Sequence, residues 1–171
     1  MQTSGTVEIA KPAEEVFRWL VEPAKLTAWT GGAGLYPAAP AELRDGFEAT
    51  GPVPAMEGEA TLRIQEWNPP LGYTVVMTYP GGDSTTSYAL RETGGATTLT
   101  VRSDTDWGKP DLSAMQAQMA GQSPEIQAAM QQALELMNSQ VGAGAYDATA
   151  QAGMQASLDE SLVKLKSLVE G

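Results

Sequence analysis

The chain has neither histidine nor cysteine, which fixes the chemistry open to it. The imidazole that carries protons near neutral pH and the thiolate that attacks carbon or grips zinc are both missing. Proton transfer would fall to carboxylates, tyrosine, lysine or arginine. Tyr73, Tyr79 and Tyr88 stand on segments that alternate apolar and polar residues. A buried phenol needs a hydrogen-bond partner, and a ligand can be that partner. Asp83, Asp104 and Asp106 lie at or beyond the ends of such segments, and Glu57 and Glu59 flank the start of another. Carboxylates there are ordinarily solvated, and no acid–base pair stands out by spacing. Arg63, Arg91 and Arg102 share the outward phase with Gln65 and several threonines, which reads as a solvated sheet face or a docking surface. Gly81-Gly82 and Gly94-Gly95 belong to hairpin turns and lack the strand–loop–helix setting of a phosphate cradle. No metal site and no cofactor are expected.

Composition narrows the partners. The 171 residues suffice for one domain with a proper core, with 42% hydrophobic and 18% charged residues. Ten basic residues against 21 acidic ones give a net charge of −11. That field repels a phosphate backbone or an anionic membrane, and no Lys/Arg cluster offsets it, so no nucleic-acid partner is expected. No apolar run approaches the roughly 18 residues of a membrane span. The opening MQTSGTVEIAKPAEE carries no leader signature, so the expected location is cytoplasmic. Nothing in the sequence fixes an oligomeric state.

Several elements must position these side chains. Thr6-Val7-Glu8-Ile9 reads as a strand that ends at Lys11-Pro12. A short helix follows, with acids Glu14 and Glu15 in its first turn and Val16, Phe17 and Leu20 as its stripe. Pro23 interrupts it, and a second short helix ends near Trp29. Leu35-Tyr36 and Phe47–Thr50 are predicted as short strands. From Gly58 to Arg102, four alternating segments separated by Asn68–Gly72, Pro80–Asp83 and Glu92–Gly95 predict an antiparallel meander. On this phase Trp67 falls on the outward side. Beyond Asp106 the chain turns rich in Ala, Gln and Met, and a helix is predicted from Pro124 with Ile126, Met130, Ala133 and Met137 on one face. A last helix carries Met154, Leu158, Leu162, Leu165 and Val169.

IAKPAEEVFRWLVEPAKLTAWT, GEATLRIQEWNPPLGYTVVM, TTSYALRETGGATTLTV and LDESLVKLKSLVEG, in that order, resemble the START-like (SRPBCC) superfamily. That superfamily takes in polyketide cyclase/dehydratase-like, Hsp90-ATPase-activator-like and Bet v 1-like proteins. The resemblance implies an α+β helix-grip fold: a curved antiparallel sheet around a long C-terminal helix, with two short helices after strand 1. Residues 1–171 would form a single domain, with 107–150 as a helical insertion before the last helix that can roof a pocket.

The resemblance also implies an internal cavity for a hydrophobic or aromatic small molecule, lipid-like or polyketide-like, in a carrier or sensor. Its lining would include Trp29, Leu62, Ile64, Val75, Met77, Tyr79, Tyr88, Leu99, Met130, Met154 and Leu158. Alternation alone serves a packed core equally well, and Trp29 in particular suits packing. The methionines suit a lid, a partner surface or plain core filling. Two other roles are compatible with the resemblance: a cyclase/dehydratase assisted by Tyr79 or Tyr88, and a co-chaperone of the Hsp90-activator kind.

Overall fold

The computed structural model describes residues 1–30, 40–52, 59–79, 82–106 and 145–171; the side chains of Pro40 and of 145–147 are not included. The predicted strand at Leu35-Tyr36, the helix around Met130 and residues 107–144 lie outside the described residues, as do Glu57 and Trp107. Six strands form one antiparallel sheet: β1 (Gln2–Ile9), β2 (Glu48–Pro52), β3 (Glu59–Asn68), β4 (Gly72–Tyr79), β5 (Gly82–Thr93) and β6 (Ala96–Asp106). Their order is β1-β6-β5-β4-β3-β2, a meander closed by the first strand. Helices α1 (Ala13–Val21) and α2 (Pro23–Thr30) follow β1, and α3 (Ala145–Glu170) closes the chain. The fold is α+β and of the helix-grip kind.

Period-two alternation decides which side of the sheet is wet. Val7, Leu99 and Leu90 are register partners on the inner face, as are Gly5, Val101, Tyr88 and Tyr73. Ser4, Arg102 and Ser87 align on the outer face. Gly94 and Gly95, both with positive φ, make the two-residue turn between Thr93 and Ala96, a conformation that favours glycine.

One reading from alternation is overturned. Glu66 takes a φ of +53°, and the β3–β4 register shifts between Gln65 and Asn68. The bulge reverses the side of the residue after it. Trp67 therefore turns inward, with its ring centroid 5.4 Å from Phe17 and 5.5 Å from Tyr73.

Helix α1 begins at Ala13, with Pro12 as a cap residue that has no side-chain bond to give. Glu92 of β5 substitutes: its carboxylate accepts the Ala13 N–H at 2.8 Å, placing a negative charge at the positive end of the helix. The α1 stripe of Val16, Phe17 and Leu20 is buried against Ile9, Leu90 and Leu99. Residues 145–150 are helical and continuous with the rest of α3.

Polar and apolar contacts together fasten α3 along β1. The Gln155 amide pairs with the Ser4 backbone in both senses, accepting its N–H at 3.1 Å and donating to its carbonyl at 2.9 Å. Gln151 donates to the Gln2 carbonyl and Lys166 to that of Glu8, while Glu170 accepts the Ala10 N–H. Between these ends lies Gly5, where an added Cβ would stand 2.5 Å from Leu162 Cδ1. Gly5→Val should lower stability by about 2 kcal/mol through overpacking at this crossing. A chemical denaturation midpoint equal to that of the parent would refute this account of Gly5.

Candidate functional site

Burial along α3 changes part-way. Leu162, Leu165 and Val169 are buried, whereas Met154 and Leu158, on the same stripe, are only half-buried. The second half of the helix fills a core with Ile9, Val16, Leu20 and Leu99. The first half stands over the end of the sheet away from α1, and there the inner face changes character. Thr3, Ser103 and Thr86 form one row, and Ser84 pairs with both Met77 and Thr105 in the next. The Thr86 and Ser103 hydroxyls lie 3.0 Å apart. Alternation alone places Thr86 on the Tyr88 phase and Ser103 on that of Val101, a signal present in the sequence but overshadowed there by the apolar residues.

The residues singled out from sequence divide between these regions. Trp29, Leu62, Ile64 and Leu99 are packed into the core. Trp29 also donates from Nε1 to the Trp19 carbonyl at 3.0 Å, tying α2 to α1. Val75 and Tyr79 are buried on β4, and the Tyr79 hydroxyl donates to the Asp83 carbonyl at 3.2 Å. Its pKa is raised by burial first, then by the carboxylates of Asp83 and Asp106. Met77, Tyr88, Met154 and Leu158 are half-buried. Met130 lies outside the described residues.

Tyr88 marks the boundary. Its ring stacks on Tyr73 at a centroid distance of 4.9 Å and an interplanar angle of 24°. The Tyr73 hydroxyl is engaged, donating to the Leu20 carbonyl at 2.8 Å. That of Tyr88 makes no hydrogen bond with any described residue, while burial pushes its pKa up to about 12. By register Tyr88 is two strands in from Gly5, about 10 Å at ordinary strand spacing, so it lies across the sheet from the point where Leu158 touches down. A neutral phenol of this kind donates a hydrogen bond and is a poor base.

An open cleft of about 820 Å³ occupies the opposite, outer face beside β1. Ser4, Ser87, Arg102, Asp104 and Gln155 line it, a polar set unsuited to a hydrophobic guest.

The raised pKa of Tyr88 has a consequence for stability. The folded chain holds this proton more tightly than the unfolded one, so the stabilisation is complete below about pH 10 and lost as pH rises towards about 12. A shift of that size corresponds to at most about 2–3 kcal/mol. Tyr88→Phe should remove that part of the alkaline loss, seen by denaturant melts at mildly and strongly alkaline pH. Equal alkaline loss in both proteins would count against a buried Tyr88 hydroxyl.

Solved structures at low sequence identity share this fold. Protein BH1534 of Bacillus halodurans superposes with a TM-score of 0.59 at 14% identity, covering 99% of this chain and 97% of that one. MLL2253 of Mesorhizobium loti gives 0.55 at 16% identity, with coverage of 97% and 96%. DynU16, a putative protein in the dynemicin biosynthetic locus, gives 0.57 at 16% identity; the match covers 99% of this chain but 47% of DynU16, about half its length. No curated protein matches the sequence. Residues 10–142, from the end of β1 through the whole meander, match the family described as activator of Hsp90 ATPase homolog 1-like protein. With most of its length within that match, the chain belongs to the Hsp90 ATPase activator homolog 1-like family.

Proposed function

We propose that the chain binds a hydrophobic or aromatic small molecule between the first half of α3 and the inner face of the sheet, as a carrier or sensor. The observation that carries this reading is the change along α3 at Leu162. Before it, Met154 and Leu158 remain half-exposed above a face that holds Met77 and Tyr88; after it, the helix is buried. Half-buried apolar side chains opposite one another are stabilised by a guest that removes them from water, at about 25 cal/mol per Å². Met77 and Met154 add adaptable walls. The wall would comprise Val75, Met77, Tyr88, Met154 and Leu158, with Tyr79 at its far end. Trp29, Leu62, Ile64 and Leu99 would support it from within the core.

Titration with the neutral, environment-sensitive dye Nile red should give saturable, near-stoichiometric binding. Leu158→Asp should weaken it by about tenfold or more, since a carboxylate would then face the apolar guest. Absence of saturable binding to the unmodified chain, for the dye and for a library of lipids and arenes alike, would overturn the reading.

Family membership favours a second reading, a co-chaperone that stimulates an Hsp90-type ATPase. Adding the protein to such a chaperone should then raise its ATP turnover. Unchanged turnover at saturating protein would dismiss this role while leaving ligand binding untouched.

A further inference from the structure

We infer that the site selects a neutral, flat aromatic molecule bearing a ketone-type oxygen, which accepts a hydrogen bond from the Tyr88 hydroxyl, and that it discriminates against carboxylate-bearing lipids. This narrows the ligand class and rests on the binding reading above. Three tyrosines stand on the inner face of β4 and β5, and their hydroxyls differ in circumstance. Those of Tyr73 and Tyr79 are bonded to the Leu20 and Asp83 carbonyls, whereas that of Tyr88 has no partner among the described residues. A desolvated phenol without a partner is costly, and an acceptor on a guest removes the cost. Protonated throughout the physiological range, Tyr88 supplies a donor and calls for an acceptor.

The neighbouring polar groups point the same way. In the Thr86–Ser103 pair one hydroxyl donates to the other, which leaves the second hydroxyl's proton available to a guest. Charge is disposed against an anion. Arg63, Arg91 and Arg102 all lie on the outer register of the sheet, where Arg63 pairs with Glu48. The inner-face carboxylate of Glu92 is occupied by the Ala13 N–H. A fatty-acid carboxylate on this wall would lose its hydration, and the described cation at this end of the sheet, the Met1 ammonium, is already engaged by the Thr105 carbonyl at 2.6 Å and the Asp104 carboxylate at 3.7 Å. The stacked Tyr73–Tyr88 pair presents aromatic surface that suits a planar guest.

Fluorenone, fluorene and fluorenecarboxylate share one flat tricyclic body and differ only in the group presented to Tyr88. Calorimetric titration of the intact chain should rank fluorenone about tenfold tighter than fluorene, one hydrogen bond's worth, and fluorenecarboxylate weakest. Tyr88→Phe should erase the gap between ketone and hydrocarbon, and an unchanged far-ultraviolet circular dichroism spectrum reports that the variant is folded. In the unmodified protein, the infrared carbonyl stretch of bound fluorenone should fall below its value in hydrocarbon solvent, a test that needs no variant. Failure of all three probes to bind would remove the binding reading itself. If the probes bind, the selectivity is overturned by equal affinity for ketone and hydrocarbon, by tightest binding of the carboxylate, by a gap that survives Tyr88→Phe, or by an unshifted carbonyl stretch.

Discussion

A sheet that begins with an edge strand has a row of backbone groups pointing at nothing, and in this chain α3 answers them. Gln151, Gln155, Lys166 and Glu170 recur at intervals that keep them on one side of the helix, and they reach Gln2, Ser4, Glu8 and Ala10 in turn. Gly5 lets Leu158 and Leu162 approach between these bonds. Polar anchoring from the side and close packing from above fix both the position and the rotation of the helix along β1. The remainder of the interior follows from that placement. With α3 tied to one edge, α1 and α2 cover the end of the sheet near Ile9 and Leu90, and the half-buried first turns of the helix lie towards the far end.

The inner face is correspondingly divided. Near α1 it is aliphatic, and the carboxylate of Glu92 is committed to capping a helix. Away from α1 it carries hydroxyls in rows, with the Tyr73–Tyr88 stack between the two regions. A purely structural core gains little from a line of threonine and serine, because each buried hydroxyl must find a partner. Thr86 and Ser103 find each other.

Much of this was legible in the sequence. The four meander strands follow from period two alone, and Gly94-Gly95 fixed its hairpin because both positions require positive φ. Val16, Phe17 and Leu20 announced the buried face of α1. Trp67 was misread because a bulge is a local change of count: one extra residue, with Glu66 in the left-handed region, reverses the phase that alternation assumes. The cap on α1 was equally invisible, since Glu92 lies 79 residues from Ala13 and only tertiary structure joins them. Sequence pattern also could not separate lining from core. Leu62, Ile64 and Leu99 share their alternation with Met77 and Tyr88, yet the first three are fully buried and the other two are half-buried.

The side-chain bonds to β1 bear on how the protein behaves in a crowded solution. An exposed edge strand invites another chain to add to it, the route to edge-to-edge association and fibrous aggregates. Here the Ser4 N–H and carbonyl are both satisfied within the chain by a single amide, and charged or amide side chains close the positions on either side. An incoming strand would have to displace the helix to reach these groups, so the margin is blocked where they lie, at Gln2, Ser4, Glu8 and Ala10.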